Sequence, residues 1–280
     1  MKISMHNHTI LSDGKNTPEE LIGTAIERDF SHIAITDHVS TLDYEEHSLD
    51  PKKYDLYIEK IRSLAEKYKD KIQVAVGMES EYYMEKGVYV SDLSNVRDKL
   101  DFIVGSVHAV YKNEKPYAVD ELCSSFRKVL TDVYNEDINQ LVEDYFTNYN
   151  LMLLDLKPEI AGHIDLIKKN NIDNIFFDEY SNWFKDLIEN TLDNIKEIDA
   201  IMEINTGGAS KHGLRCMYPS EYILSRAYKK GIKVTMGSDA HTLEMLDCLY
   251  ETGLQRLRRA GYKEIYTFDT NRKEFIPIEI

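Results

Sequence analysis

Short apolar segments alternate with longer amphipathic segments along most of the chain. Short apolar runs bounded by polar turns are typical of buried β-strands. Seven such segments predict strands, at 2–6, 32–37, 72–80, 102–108, 159–164, 200–205 and 233–238. Apolar residues at helical spacing predict helices between them, the first opening at Thr17-Pro18-Glu19-Glu20 and the others at 51–68, 136–154, 178–198, 219–230 and 243–260.

Repeated strand-then-helix order predicts parallel strands joined by crossover helices. Seven units favour closure into an α/β barrel, and a length of 280 residues suits one such domain spanning residues 1–280. The pattern alone also fits an open, doubly wound sheet.

The strands are two-sided, with bulky apolar residues on one face and small or polar residues on the other. In 72–80, Val74, Val76 and Met78 share one face, and Gly77 and Glu79 share the other. Because alternate residues of a strand point the same way, the polar face is expected to line the barrel axis. Four strands carry candidate metal ligands on or just beyond this face, and these ligands are His6 with His8, His38, Glu79, and Asp239 with His241.

Candidate ligands recur where the strands end. They are His6, His8, Asp13, His38, Glu79, His108, His163, Asp239 and His241. Parallel α/β barrels place their chemistry at the C-terminal ends of the strands. Nine nitrogen and oxygen donors exceed one tetrahedral site, so we expect two or three divalent ions sharing a bridging carboxylate. Mixed imidazole and carboxylate donors suit Zn, Mn, Fe or Co.

Composition narrows the function classes. The net charge of −15 argues against extended contact with nucleic acid. We expect no membrane span, because no apolar run approaches the roughly 20 residues required, and the N-terminus has no signal-peptide core. The odd, scattered Cys123, Cys216 and Cys248 predict free thiols in the cytoplasm. The sequence does not indicate an oligomeric state.

Several motifs together resemble the PHP (polymerase and histidinol phosphatase) family. They are His6-Asn7-His8-Thr9, Ser12-Asp13-Gly14, Thr36-Asp37-His38, the Glu79 strand, Gly105-Ser106-Val107-His108, Gly162-His163-Ile164-Asp165 and Gly237-Ser238-Asp239-Ala240-His241. The resemblance implies a distorted (β/α)7 barrel with a trinuclear site at the C-terminal ends of the strands. It implies one metal on His6, His8, Glu79 and Asp239, a second on Glu79, His108 and His163, and a third on Asp13, His38 and His241.

Other stretches resemble the histidinol-phosphate phosphatases of this family, among them Glu203-Ile204-Asn205-Thr206, Gly213-Leu214-Arg215 and Tyr218-Pro219-Ser220. The implied activity is hydrolysis of L-histidinol phosphate in histidine biosynthesis, with a metal-activated hydroxide as nucleophile. The implied partner is a small phosphorylated metabolite. Asp239 and His241 are candidates for assisting proton transfer.

Cationic residues after the sixth strand predict phosphate binding by Arg215, Lys211 and His212. Glu81 is a candidate for meeting the substrate amine, and Glu203 and Asn205 for supporting a ligand histidine. Two alternatives stay open: a phosphoesterase of the same family for another small ester or diester, and a non-catalytic metal-binding barrel.

Overall fold

The computed structural model describes residues 1–39, 47–85, 88–90, 93–113 and 115–280. Its strands, in chain order, are β1 (Lys2–Ser4), β2 (Phe30–Ile35), β3 (His38–Val39), β4 (Gln73–Glu81), β5 (Tyr83–Glu85), β6 (Val88–Val90), β7 (Phe102–Ser106), β8 (Ala109–Lys112), β9 (Lys115–Ala118), β10 (Ile160–Ala161), β11 (Ile201–Asn205), β12 (Val234–Gly237), β13 (Glu264–Asp269) and β14 (Glu274–Glu279). The α-helices are α1 (Pro18–Glu27), α2 (Tyr54–Tyr68), α3 (Cys123–Tyr134), α4 (Ile138–Leu156), α5 (Asn182–Glu197), α6 (Gly207–His212), α7 (Glu221–Lys230) and α8 (Tyr250–Ala260).

Seven parallel strands form the central sheet in the order β1-β2-β4-β7-β10-β11-β12, with β3 paired to β4. The first and last strands also meet. Met5 N–H donates to Met236 O at 2.8 Å, and His8 N–H donates to Ala240 O at 3.0 Å. The predicted seven-stranded barrel is therefore confirmed, and the open sheet that the pattern left as an alternative is not formed.

The helices cover the barrel with the apolar faces that the sequence predicts. Thr17 begins α1 with a capping box, in which its side chain accepts from Glu20 N–H and the Glu20 carboxylate accepts from Thr17 N–H. These reciprocal bonds satisfy backbone donors that the first helical turn leaves free. Leu21 and Ala25 of α1 are then buried against the sheet.

Several element boundaries differ from the predictions. The segment 243–260 forms a short 3₁₀ turn, Leu243–Met245, and then α8, because Leu249 adopts a left-handed conformation with φ of 57°. The predicted strand 159–164 shortens to β10. Helix α3 and the C-terminal hairpin β13–β14 were not predicted.

That hairpin covers the end of the barrel where the strands begin. The rings of Phe268 and Phe275 contact Phe102 at the start of β7, with centroids 5.8 and 5.3 Å away. Gln73, at the start of β4, accepts a hydrogen bond from Thr270 N–H at 2.8 Å. The opposite end, where the strands finish, stays available for a site.

Short antiparallel hairpins, β5–β6 and β8–β9, follow β4 and β7. Residues 86–87, 91–92 and 114 lie outside the described residues. Within the described chain, no helix has the length and apolarity that crossing a bilayer requires.

Tyr57 fastens α2 to the sheet directly beneath the ends of the strands. Its buried hydroxyl lies 3.0 Å from Ile35 O and 2.9 Å from Gly77 O, and it accepts from Asp37 N–H at 3.3 Å. Tyr57→Phe should lower the free energy of unfolding by about 1–3 kcal/mol, because it leaves buried backbone groups unsatisfied. Urea denaturation measures the loss.

Tyr68→Phe is the matched control, since its hydroxyl binds Glu19 at the surface at 2.8 Å. That variant should lose no more than about 0.5 kcal/mol. Equal losses in the two variants would contradict the role given to Tyr57.

Candidate metal centre

The first two histidines are fixed by the asparagine between them. Asn7 points away from His6 and His8, and its side-chain amide donates to Ala34 O at 2.9 Å and Ser4 O at 3.2 Å. Ser4 Oγ donates to the side-chain oxygen of Asn7, Oδ1, at 3.1 Å. The two imidazoles consequently project together, with their Nε2 atoms 3.0 Å apart.

Glu79 lies at the centre of the imidazoles. Its Oε2 is 3.2 Å from His6 Nε2, 3.4 Å from His8 Nε2 and 2.8 Å from His38 Nδ1. Its Oε1 is 3.0 Å from His163 Nε2 and 3.8 Å from His108 Nε2. One carboxylate near the end of β4 therefore faces the five imidazoles from both of its oxygens.

Asp13 and His241 extend the cluster on the side of His8. Asp13 Oδ2 is 3.1 Å from His241 Nε2, and its Oδ1 is 3.9 Å from His8 Nδ1 and 4.0 Å from His38 Nε2. Asp239 Oδ1 lies 3.1 Å from His8 Nε2 and 3.9 Å from His6 Nε2. All nine residues predicted as ligands are thus brought together.

The loop that carries Asp13 is held by Asp37. The buried Asp37 carboxylate accepts from Thr9 N–H at 2.7 Å, Thr9 Oγ1 at 2.9 Å and Ser12 Oγ at 2.6 Å. These three bonds fix the loop just before Asp13. The role of Asp37 was not predicted, although it stands in the motif Thr36-Asp37-His38.

Glu203 supports two of the histidines from the barrel axis. Its Oε1 lies 2.7 Å from His6 Nδ1, and its Oε2 accepts from His163 N–H at 2.9 Å. A Cβ at Gly237 would overlap Oε1, so the neighbouring strand needs glycine there. Asn205 donates to Asp239 Oδ2 at 3.1 Å. Glu203 therefore makes the contacts with histidines that were expected of it, whereas the Asn205 side chain hydrogen-bonds to a carboxylate of the cluster and, among the described residues, to no histidine.

Glu81 contacts His108 and is not free for a substrate amine. Its two oxygens lie 3.0 Å from His108 N and 2.5 Å from His108 Nδ1. This bond leaves Nε2 of His108 directed toward Glu79. The structure therefore gives Glu81 the kind of contact that orients a ligand histidine.

Strong electrostatic coupling follows from the burial of these groups. Burial alone would lower the pKa of His6, but the carboxylates of Glu203, Glu79 and Asp239 outweigh it and raise the pKa well above its ordinary value. Burial opposes ionisation of Glu79, yet His38 and His6 bring its pKa well below the usual range. Burial, with His38 and His241 nearby, lowers the pKa of His8 to about 3.

Three sets of donor atoms are close enough to share an ion. Each set has its donor atoms within 4.8 Å of one another, and the sets are His6, His8 and Glu79; Glu79, His108 and His163; and His8, Asp13, His38 and His241. In the described chain, His8 Nδ1, His163 Nδ1 and Glu79 Oε2 are buried without a hydrogen bond of good geometry. Buried polar atoms without a partner are costly, and a divalent cation would bind these nitrogen and oxygen atoms. The residues fit metal ions.

A cavity of about 650 Å³ opens over this cluster. Its lining includes Glu81 and six residues of the metal cluster, which are Asp13, His38, His108, His163, Asp239 and His241, together with residues of the segments that follow the strands. His47, which the sequence assigned to no site, also lines it. A small metabolite fits a cavity of this size.

The predicted phosphate-binding residues separate in the structure. Lys211 lines the cavity over the metal cluster. His212 and Arg215 instead line a neighbouring cleft together with Cys123 and Ile172. Lys169, which the sequence did not single out, lines both. Phosphate binding by these residues stays a prediction, with Lys211 the best placed of the three originally named.

Comparison with protein-family models identifies the chain. The model described as the PHP domain matches residues 4–207, well over half of the sequence. The chain belongs to the PHP domain family. This confirms the family that the motifs resemble.

Relatives within the PHP family agree along nearly the whole chain. A Schizosaccharomyces pombe protein named "Probable histidinol-phosphatase" is 30% identical over 277 residues, which cover 93% of this chain and 87% of that protein. The Bacillus subtilis protein named "Histidinol-phosphatase" is 24% identical over 265 residues, which cover 90% of this chain and 97% of that protein.

Solved structures support the barrel of the PHP fold. A structure from Listeria monocytogenes superposes with a TM-score of 0.73 at 22% identity, covering 90% of this chain and 99% of the other. The Lactococcus lactis histidinol phosphate phosphatase, solved with zinc, L-histidinol and phosphate, superposes with a TM-score of 0.71 at 17% identity. The superposition covers 98% of each chain.

The Glu81–His108 pair gives a testable pH effect in metal-free protein. Burial lowers the pKa of His108, but the carboxylates of Glu81, Glu79 and Asp120 together outweigh burial and raise it to about 10. The pair should make its full contribution to the free energy of unfolding below the pKa of histidine in the unfolded chain, roughly 6.5. This contribution should be lost as the pH rises through about 10. Glu81→Gln should bring the pKa of His108 down by several units, measured by NMR titration of the imidazole after chelation.

Glu121→Gln is the control, because the Glu121 side chain forms no hydrogen bond or ion pair with His108 in the described chain, so this change should leave the titration of His108 in place. A His108 pKa near 6.5 in the unaltered protein would contradict the coupling.

Proposed function

We propose that the chain is a metal-dependent histidinol-phosphatase, which hydrolyses L-histidinol phosphate to L-histidinol and phosphate in histidine biosynthesis. The observation that carries the proposal is the convergence of imidazole and carboxylate side chains beneath a cavity of metabolite size: eight fall into the three donor sets, and Asp239 lies 3.1 Å from His8 Nε2. The whole-length relatives named histidinol-phosphatases support the same enzyme class.

The metal ligands of this proposal are His6, His8, Asp13, His38, Glu79, His108, His163, Asp239 and His241. Glu79 would be shared between two ions, because its two oxygens face different sets of imidazoles. His8 lies between two sets, since it is close to His6 and to Asp13. Two to three divalent ions match this donor set, and Zn, Mn, Fe or Co suits its chemistry.

Bound divalent ions activate water and neutralise charge on phosphoryl oxygens. The chain itself supplies orientation and charge. Glu203 and Glu81 hold His6 and His108 by their Nδ1 atoms, which leaves each Nε2 free to coordinate. Lys211 in the cavity wall offers a cation for the phosphate.

The leaving alkoxide of the substrate needs one proton. Asp239 and His241 are the candidates to assist this transfer, because both line the cavity. The Nδ1 atom of His241 is already occupied by a contact with Asp239 O at 3.0 Å. Its Nε2 atom therefore faces Asp13 and the cavity side of the cluster.

The proposal also includes one domain over residues 1–280 and a cytoplasmic location. Both rest on the sequence, the first on the unbroken strand–helix alternation and the second on unpaired cysteines, which are free in the structure. The partner is a small phosphorylated metabolite. Nucleic acid is disfavoured as a substrate by the net charge of −15.

The deciding experiment measures phosphate release from L-histidinol phosphate, generic phosphomonoesters and a phosphodiester. Metal-replete protein should give kcat/KM on the order of 10⁴ M⁻¹s⁻¹ or more for L-histidinol phosphate, well above the other substrates. Chelation should abolish turnover, and added Zn, Mn, Fe or Co should restore it. A flat profile would redirect the assignment to another phosphate ester, and full activity after verified metal removal would sink the metal-dependent reaction.

Glu203 provides a separate test of the ligand assignment. Glu203→Gln should weaken metal affinity about 10–100-fold, because His6 loses the carboxylate that orients it. Competition with a calibrated chelator measures the affinity. Glu159→Gln is a control from outside the cavity, because Glu159 accepts from Ile103 N–H at 2.8 Å. If both variants bind metal equally well, the assigned role of Glu203 is wrong.

A further inference from the structure

The carboxylates of the cavity fall into two groups. Asp13, Glu81 and Asp239 contact imidazoles of the metal cluster. Asp120 and Glu121 also line the cavity, but across the described chain their side chains form no hydrogen bond or ion pair with another residue. The second group is therefore available to a bound molecule.

Hydrogen bonds hold the main chain of segment 119–121, which carries these two carboxylates. Its backbone runs from β9 toward α3, and Val119 N–H donates to His108 O at 2.9 Å. Asn170 Nδ2 donates to Val119 O at 3.3 Å and to Glu121 O at 3.1 Å. Lys169 Nζ donates to Asp120 O. The segment is thus held by its main chain, which leaves its acidic side chains free.

A second polar group in the cavity wall also awaits a partner. Tyr218 is 1% exposed and lines the cavity, and its ring lies edge-on to His163 with centroids 6.4 Å apart. Its hydroxyl has no hydrogen-bond partner in the described chain apart from the weakly polar Cys216 thiol nearby. A buried hydroxyl of this kind can accept a hydrogen bond from a ligand.

The substrate of the proposed function carries a charge that the metal centre does not satisfy. L-Histidinol phosphate has a primary amine that is protonated at neutral pH, in addition to its phosphate. A bound ammonium group needs an acceptor, preferably an anion. Glu81 was the sequence-based candidate, and its contact with His108 removes it.

We propose that Asp120 binds the substrate ammonium and sets the preference for amine-bearing phosphate esters, with the Tyr218 hydroxyl as a second acceptor. This inference rests on the proposed function. Asp120 is favoured over Glu121 because it is half-buried, whereas Glu121 is exposed. Asp120 lines the same cavity as His108 and His163, and its neighbour Val119 is hydrogen-bonded to His108 O.

The experiment compares two esters that differ only at the amine: L-histidinol phosphate and its deamino analogue, 3-(imidazol-4-yl)propyl phosphate. The metal-loaded, unaltered chain should prefer the amine-bearing ester by about 10–100-fold in kcat/KM, the range expected for one charge-assisted hydrogen bond. Asp120→Asn should bring this ratio close to one, chiefly through a higher KM for L-histidinol phosphate.

Glu121→Gln is the matched control, with the same loss of charge one residue away, and it should keep the ratio. Metal content and circular dichroism are measured for each variant. A folding defect would change these readings and lower kcat/KM for both esters together. An unchanged ratio in Asp120→Asn overturns the inference, as does a ratio that collapses only in Glu121→Gln. Failure of the proposed function looks different, because the unaltered chain would then turn over neither ester efficiently.

Discussion

The structure depends on one buried carboxylate surrounded by imidazoles. Glu79 has almost no exposed surface, yet its pKa lies well below the usual range, because His38 and His6 outweigh the cost of burial. Buried charges are stable only when paired, so the side chains around Glu79 must be held in position. The barrel accomplishes this by bringing the ends of several parallel strands to one place.

Barrel closure is the step that assembles the site. His6 and His8, which follow β1, and the Asp239–His241 pair after β12 lie near opposite ends of the sequence. Hydrogen bonds between these first and last segments of the barrel bring them into contact. The hairpin β13–β14 covers the other end of the barrel. Consequently the cavity lies over the ends of the strands, where the polar faces meet.

The metal cluster and the cavity wall have different structural origins. Glu79, His163 and Glu203 belong to strands or to their immediate ends, so the barrel fixes them directly. Lys211, Asp120 and Tyr218 come from connecting segments that follow the strands. Under the proposed function, the barrel would supply the metal-binding side chains and the connecting segments would supply the groups that meet the substrate.

Strand–helix alternation and the placement of histidines at strand ends are local patterns, so they predicted the parallel α/β architecture, the family and the nine converging side chains. Closure into a barrel rather than an open sheet follows from the hydrogen bonds between the first and last strands. The single domain and the ligand roles of these nine side chains remain predictions. Contacts between distant segments became visible only in the folded chain: Glu81 contacts His108, Asp37 holds the loop of Asp13, and Arg215 lines a different cleft from Lys211. The sequence likewise did not predict α3 or the C-terminal hairpin. The physical reason is that strand parity fixes which way a side chain points, whereas its partner depends on how distant strands and loops meet.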